Sequence, residues 1–287
     1  LVLDLDRSRG SQLVDARTGR SYLDMFTFFA SSALGMNHPG LADDEQFRAE
    51  LTAAALNKPS NSDVYSIPMA RFVDTFARVL GDPALPHLFF VDGGALAVEN
   101  ALKVAFDWKS RLNESRGIDP ALGTKVLHLR GAFHGRSGYT MSLTNTDPNK
   151  VARFPKFDWP RISNPKIHFP IDETESARLD EAEAESLEQL TAAAEADPDS
   201  IAGVIVEPIQ AEGGLILPAP GFLKALKTLC EERGALLILD EVFAGLDEAT
   251  ADKLWRMIRK LGEDMSILLV THDSRKITGM DRIYTVL

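Results

Sequence analysis

The sequence has 287 residues, of which 45% are hydrophobic and 25% charged, a composition ordinary for a soluble globular protein with a sizeable core. Its net charge is −11 without a basic patch, which excludes a nucleic-acid-binding class. No apolar stretch reaches the roughly 18 residues of a membrane span, the first residues lack a signal peptide's basic and apolar regions, and the single cysteine, Cys230, favours a reducing cytoplasm without internal disulfides.

The predicted elements alternate between strands and helices along most of the chain. In chain order we predict strands at 12–15 and 21–24, helices at 43–56 and 66–80, a strand at 87–91, a helix whose apolar face begins at Ala95, a strand at 125–129, a loop over 144–170, an acidic helix within 172–199, a strand at 201–206, a helix at 222–232, a strand at 235–239, a helix at 248–261, and strands at 266–270 and 282–286. This alternation predicts a single α/β domain, built on a mostly parallel sheet flanked by helices.

The negative charge is concentrated between Asp172 and Asp199. That stretch contains eleven acidic residues and one base, Arg178, with Ala and Leu at helical spacing. Such a charge run is typical of the solvated face of an amphipathic helix.

Four polar motifs follow predicted strands, where open α/β sheets bind ligands. Residues 92–95 (DGGA) offer glycines at a helix start, which suit a phosphate or a tight turn. Residues 131–136 (GAFHGR) place an aromatic beside a histidine, for stacking on a flat cofactor or for plain packing. Residues 207–214 (EPIQAEGG) carry carboxylates for substrate positioning or ordinary loop acids. Asp240 ends the fourth strand.

Together these motifs resemble those of the class III pyridoxal-phosphate (PLP) aminotransferases. The matching stretches are 89–101 (FFVDGGALAVENA), 131–136 and 207–214. Residues 22–26, 57–63 and 154–160 resemble the branch of this family that transfers the ε-amino group of lysine to 2-oxoglutarate. The resemblance covers residues 1 to about 242 and implies the large domain of a fold-type I PLP enzyme, with an amino acid and a 2-oxo acid as substrates and a homodimer as the assembly.

The resemblance also implies roles for the cofactor-binding residues. Gly94 and Ala95 match the phosphate-binding turn, and Phe133 matches the aromatic stacked on the pyridine ring, with His134 beside it. Asp240 matches the aspartate on the pyridinium nitrogen, where a buried carboxylate keeps that nitrogen protonated.

Substrate-side residues follow in the same way. Glu212 matches the catalytic-site glutamate that arbitrates between the two substrates. Asn61 and Ser62 lie in a loop that resembles the family's substrate-proximal segment.

The sequence departs from the family pattern after Asp240. Phe243 replaces a glutamine expected at the cofactor's phenolic oxygen, and residues 266–270 (SILLV) stand where the family has the lysine that forms the internal aldimine. Neither Lys260 nor Lys276 has the matching context. The family's C-terminal domain, with its carboxylate-binding arginine, is also missing, so we expect the chain to be inactive in transamination.

The same region resembles the C-terminal part of ABC-type ATPases through residues 236–241 (LLILDE), 244–247 (AGLD) and 267–273 (ILLVTHD). In that alternative, which would bind Mg-ATP, Asp240 would bind magnesium, Glu241 would be the catalytic carboxylate, Asp247 would belong to the D-loop and His272 would sense the γ-phosphate. No G-x-x-x-x-G-K-[ST] phosphate loop exists in the sequence, so ATP hydrolysis is not expected.

Two readings therefore remain open at the sequence level. The first is a chimeric, inactive PLP aminotransferase scaffold over 1–242, with an ABC-like segment over 243–287 that continues the same sheet. The second is an ATP-binding module. No metal ligand set is predicted for the first reading.

Overall fold

The structure is a computed structural model that describes residues 1–28, 31–32, 34–60, 63–80, 87–240, 256, 267–270 and 284–286. By its internal contacts the chain divides into two compact units, Leu1–Phe76 and Ala77–Leu287. The α/β sheet lies wholly in the second unit. The helix that we predicted at 248–261 lies outside the described residues apart from Arg256.

The first unit consists of a small hairpin and helices. Its elements are β1 (Gln12–Val14), β2 (Ser21–Leu23), α1 (Pro39–Ala42), α2 (Glu45–Ala55) and α3 (Ile67–Leu80), the last of which continues into the second unit. β1 and β2 pair antiparallel. The hairpin confirms the two short strands predicted around the turn at Gly19, whose φ is +69°.

The second unit alternates strands and helices, as predicted. Its elements are β3 (His87–Phe89), α4 (Gly94–Ser115), a 3-10 helix (Pro120–Leu122), β4 (Lys125–Leu129), α5 (Thr140–Leu143), α6 (Pro148–Val151), β5 (Arg161–Ile162), α7 (Glu173–Ala196), β6 (Ile201–Val206), α8 (Phe222–Arg233), β7 (Leu236–Asp240), β8 (Ile267–Val270) and β9 (Tyr284–Val286). Among the helices that the structure describes, none combines the length and apolar character needed to span a bilayer.

The sheet has the order β3-β9-β8-β7-β6-β4-β5, and its neighbouring strands pair parallel. Every residue of β6 is buried. Val204 and Val206 point into a core shared with α7 and α8, whereas Ala202 and Ile205 point into a core shared with α4. Because both faces of a parallel sheet must be covered, β6 is apolar throughout. The predicted fold class, a mostly parallel sheet flanked by helices, is confirmed.

The predicted loop over 144–170 contains two short elements. α6 begins where Asp147 accepts a hydrogen bond from the backbone N–H of Asn149 at 2.9 Å, with Pro148 in the first turn. β5 extends the sheet edge, where Arg161 is in register with His128. The loop prediction was therefore wrong here, because the Pro and Asn content signals turns without revealing which of them cap a helix.

The acidic stretch forms α7, as predicted. Its buried face is formed by Leu179, Ser186, Leu190 and Ala194, whose spacing places them on one side of the helix. At its start, the Asp172 side chain accepts a hydrogen bond from the backbone N–H of Glu175 at 2.8 Å. This cap fixes the backbone at Glu175.

Removing the Glu175 carboxylate is expected to make the free energy of unfolding depend less on pH in the acid range. Hydrogen bonds from Arg178 foremost, with the backbone N–H of His168 adding to them, hold the pKa of Glu175 at about 2, below its ordinary value of 4.5. The charged form therefore stabilises the folded state above about pH 4.5, and this contribution is lost as the pH falls toward 2. In urea titrations, Glu175→Gln should be destabilised at pH 7, with the difference from wild type shrinking between pH 5 and pH 2. Glu173→Gln, in the same turn, serves as the control; a constant Glu175→Gln difference would contradict the expectation.

Candidate active site

The carboxyl ends of β4, β6 and β7 lie side by side, because these strands are neighbours in the sheet. Asp240, the last residue of β7, meets His134 from the loop after β4: the distance from Asp240 Oδ2 to His134 Nδ1 is 2.8 Å. Both residues are buried, at 4% and 2% exposure. The carboxylate therefore accepts the Nδ1–H hydrogen bond, so the imidazole carries a proton on the nitrogen that faces Asp240.

The histidine is held from its backbone as well. Its N–H donates to Thr144 Oγ1 at 3.0 Å, and the Thr144 hydroxyl donates to the carbonyl of Gly135 at 2.5 Å. Within the described part of the chain, the buried Nε2 atom of His134 has no hydrogen-bond partner. A buried polar atom without a partner is uncommon and marks this pair as more than core packing.

Phe133 is anchored by Glu207, the first residue after β6. One carboxylate oxygen of Glu207 accepts from the backbone N–H of Phe133 at 2.8 Å, and the other accepts from the N–H of Ala211 at 3.1 Å. Glu207 is 3% exposed, and burial raises the pKa of its carboxyl. From the sequence, this acid could be either a substrate-binding group or a plain loop residue. In the structure, its hydrogen bonds connect the Phe133 loop to the loop that carries Glu212.

The predicted phosphate turn begins α4. Gly93 has φ of +105° at the N-cap and contributes no side-chain cap, so the first N–H groups of α4 have no such partner. Gly135, with φ of +107°, lies against this turn: a Cβ there would be 2.6 Å from Ala95 Cβ. The structure thus brings together the loop of Phe133 and His134 and the turn of Gly94 and Ala95.

Besides Glu207, a second acid, Glu99, holds the other end of the loop that carries Phe133 and His134. Glu99, on the second turn of α4, is buried, and its Oε1 accepts hydrogen bonds from the Ser137 hydroxyl and from the backbone N–H of Tyr139, both at 2.7 Å. It also accepts from the N–H of Thr140 at 3.2 Å. Sequence reasoning missed Glu99. An acid on the buried face of an otherwise apolar helix was the signal that could have found it.

Replacing Gly135 is expected to separate the two halves of this site. Gly135→Ala adds both a strained positive φ and a contact with Ala95, so we expect a loss of unfolding free energy of about 1–3 kcal/mol and weaker cofactor binding. Gly117→Ala is the matched control, because Gly117 also has a positive φ, of +73°, but a Cβ there meets open space. Equal effects of the two substitutions on ligand affinity would show that the contact with Ala95 does not matter.

Glu212 lies at the edge of this arrangement, with a side chain that is 42% exposed and paired with Lys150. The remaining predicted residues lie outside the described part of the chain: Asn61, Ser62, Glu241, Phe243, Asp247, Lys260, His272 and Lys276.

Most of the chain matches one family: residues 1–265 match the family described as aminotransferase class-III. The chain belongs to the class-III aminotransferase family. This match runs past residue 242, where the predicted resemblance ended and the predicted ABC-type segment began. The family match gives no support to that segment or to the prediction of inactivity.

The relatives of this class-III aminotransferase chain include enzymes named for lysine. It is 69% identical to the L-lysine-epsilon aminotransferase of Mycobacterium tuberculosis over 245 residues, which cover 85% of this chain and 54% of that protein. It is 58% identical to the protein of that name from Streptomyces clavuligerus over 246 residues, 85% of this chain and 53% of the relative. The chain therefore spans about half the length of the curated relatives it matches.

Solved structures agree with the fold. The structure of lysine aminotransferase from M. tuberculosis in the internal aldimine form superposes with a TM-score of 0.78 at 69% identity, covering 84% of this chain and 55% of that one. An omega-aminotransferase from Paracoccus denitrificans, at 22% identity, has a TM-score of 0.62 over 83% of this chain and 50% of its own, and shows the fold alone.

The residues present fit PLP, the cofactor of this family. A buried carboxylate, Asp240, suits a protonated ring nitrogen. Phe133 supplies an aromatic ring for stacking. The glycine-bounded start of the 22-residue helix α4 suits a phosphate, because N–H groups without a side-chain cap and the helix dipole both favour an anion there.

Proposed function

We propose that this chain binds PLP at the carboxyl edge of its sheet and serves transfer of the ε-amino group of lysine to 2-oxoglutarate. The observation that carries the proposal is the buried Asp240–His134 pair at the end of β7, next to the anchored Phe133. When bound, PLP supplies an electron sink for amino-group chemistry.

The residues of the chain have separate tasks in this proposal. Asp240 holds a proton on the ring nitrogen, and His134 keeps the carboxylate in place through its Nδ1–H. Glu207 fixes the backbone under Phe133, so that the ring presents one stable face. The start of α4 at Gly94 receives the phosphate.

Lysine as amino donor is supported by relatives at 57–69% identity that are named L-lysine-epsilon aminotransferase. Glu212 supports it as well, because an exposed carboxylate near Phe133 can accept an ammonium group. The cofactor and substrate assignments remain linked: a chain that does not bind PLP does not perform this transfer.

The prediction of inactivity rests on residues 266–270, which place no lysine at the family's position. The family match and the relatives do not support it, so the transfer is proposed in its place. The ATP-binding alternative has no observation in its favour, because Asp240 is the sole member of its residue set in the described part of the chain, where it pairs with His134.

One experiment tests the proposal directly. Titration of the purified chain with PLP, followed by absorbance, should show saturable binding, and borohydride reduction with peptide mapping identifies any lysine that carries the cofactor. Lysine-dependent formation of glutamate measures the reaction. Absence of saturable PLP binding by the folded chain, or absence of lysine-dependent glutamate formation in the presence of PLP, would overturn the proposal.

Two further expectations accompany this function. The resemblance implies a homodimer, which sedimentation velocity tests. A cytoplasmic location is supported by the free cysteine, Cys230, which is buried and whose thiol pKa is raised by that burial, as suits a structural thiol in a reducing compartment.

A further inference from the structure

A cavity of about 400 Å³ opens to solvent beside α4. This volume lies within the range of roughly 300–1,000 Å³ that is typical of small-molecule sites, which combine apolar walls with a few polar groups. The cavity shares α4 with the proposed cofactor site, but none of the residues assigned to PLP lines it. Among the described residues, those that line it are Glu99, Gly138, Tyr139, Pro155, Lys156 and Phe157.

Glu99 supplies a buried negative charge to the wall of this cavity. The residue is 8% exposed, and its Oε1 atom accepts all three hydrogen bonds from residues 137–140. Its Oε2 atom accepts no hydrogen bond within the described part of the chain. A carboxylate accepts up to about four hydrogen bonds, and burying a charge is costly unless such bonds compensate for the lost water. Oε2 is therefore able to accept a donor from a ligand.

Gly138 leaves this carboxylate open toward the cavity. A Cβ atom at position 138 would lie 3.6 Å from Oε1 and 3.8 Å from Oε2 of Glu99. Glycine has no such atom, and Gly138 itself lines the cavity. The side of the carboxylate that faces Gly138 is therefore not covered by a side chain at that position.

The opposite wall is aromatic and held in place. The ring of Phe157 stacks on that of Trp159, with centroids 5.0 Å apart and an interplanar angle of 11°, and lies 5.6 Å from the ring of Tyr139. The backbone N–H of Phe157 donates to the hydroxyl of Ser142 at 2.9 Å. Phe157 is nevertheless 54% exposed. A fixed, exposed aromatic surface suits a flat apolar ligand, and its ring faces attract a cation.

Lys156 contributes a positive charge at the rim of the cavity. Its Nζ atom donates to the carbonyls of Val151 at 2.6 Å and Phe154 at 3.2 Å, and the residue is exposed. Water and salt screen an exposed charge far more than a buried one. The buried carboxylate of Glu99 therefore dominates inside the cavity, and the cavity favours a cation over an anion.

We propose that this cavity binds an aromatic cation that carries N–H donors, such as an aryl amidinium. The charged end donates a hydrogen bond to Oε2 of Glu99, and the ring of the ligand lies on Phe157 and Tyr139. The other oxygen of Glu99 keeps its bonds to the loop after His134. This inference goes beyond the proposed function and does not depend on PLP.

The test is isothermal titration of the full chain with three probes of the same shape and different charge. Benzamidine, a cation that does not form an imine with PLP, should bind saturably. Benzamide, which is neutral, should bind about tenfold or more weakly, because hydrogen bonds between two charged groups are the stronger ones. Benzoate, an anion, should bind least well.

Gly138→Ala is the variant that tests the site. Its methyl group covers the carboxylate and should weaken benzamidine binding by about tenfold or more. The chain should remain folded, because φ at Gly138 is not positive and the new contacts are at ordinary van der Waals distances. Gly40→Ala, at a glycine of the first unit that also lacks a positive φ, is the matched control and should leave the Kd unchanged. Lys156→Met should leave benzamidine binding equal or tighter, and unfolding curves check each variant.

The outcomes separate this inference from the proposed function. Lack of saturable benzamidine binding, equal affinity for benzamide, or an unchanged Kd in folded Gly138→Ala would overturn it. Competition between PLP and benzamidine would also overturn it, because the two sites would then be one. Lack of PLP binding in the same samples would overturn the proposed function alone.

Discussion

Asp240→Asn is expected to weaken PLP binding by about tenfold or more while leaving the chain folded. The substitution removes the charge that stabilises a protonated ring nitrogen, and hydrogen bonds to charged groups contribute about 1.5–3 kcal/mol. The amide oxygen still accepts the Nδ1–H of His134, so the local packing is retained. Absorbance titration with PLP measures the effect, with urea unfolding as the check on folding.

Asp107→Asn is the matched control for this variant. Asp107 lies on α4 with a side chain 65% exposed and pairs with Arg111 at the surface, so PLP affinity should not change. If folded Asp240→Asn bound PLP as tightly as wild type, Asp240 could not be the partner of the ring nitrogen.

Glu207→Gln is expected to destabilise the second unit and to loosen Phe133. A glutamine offers one oxygen where the structure uses two, so one of the two backbone N–H groups, of Phe133 or of Ala211, faces an amide NH₂ instead of an acceptor. A buried donor that loses its acceptor costs about 1–3 kcal/mol of unfolding free energy. Hydrogen exchange at the amides of these two residues should accelerate, and urea titration should show the lower stability.

Glu231→Gln on α8 removes an exposed carboxylate and should shift the unfolding free energy by no more than about 0.5 kcal/mol. Slow exchange at the Phe133 amide in Glu207→Gln, equal to that in wild type, would show that the carboxylate is not what holds this loop.

The strands of the sheet could be predicted from the sequence, because strands that are buried on both faces consist of continuous runs of apolar residues. β4 and β6 begin and end where predicted, and β7 is displaced by one residue. The acidic helix was readable from its period. The order of the strands could not be predicted, because sequence spacing does not reveal that β3 lies at the edge of the sheet that is farther from β4.

The sequence predicted which residue types form the site, but it predicted fewer of the contacts that these residues make. Phe133, His134 and Asp240 were expected at neighbouring strand ends, and His134 and Asp240 meet there. The role of Glu207 was hidden, because the direction of a loop side chain depends on tertiary contacts that no local pattern specifies. A carboxylate that binds backbone N–H groups looks the same in a sequence as one that awaits a substrate.

The strand order has a consequence for how the protein matures. β3, which leads into the phosphate turn at Gly94, pairs with β9 alone among the described strands, with His87 in register with Tyr284. A contact between positions so distant cannot form during synthesis until the chain has emerged through Val286, and non-local parallel pairings form slowly. Competence to bind the cofactor should therefore arise late in folding, so that PLP added to a refolding chain stabilises the finished sheet and not its intermediates.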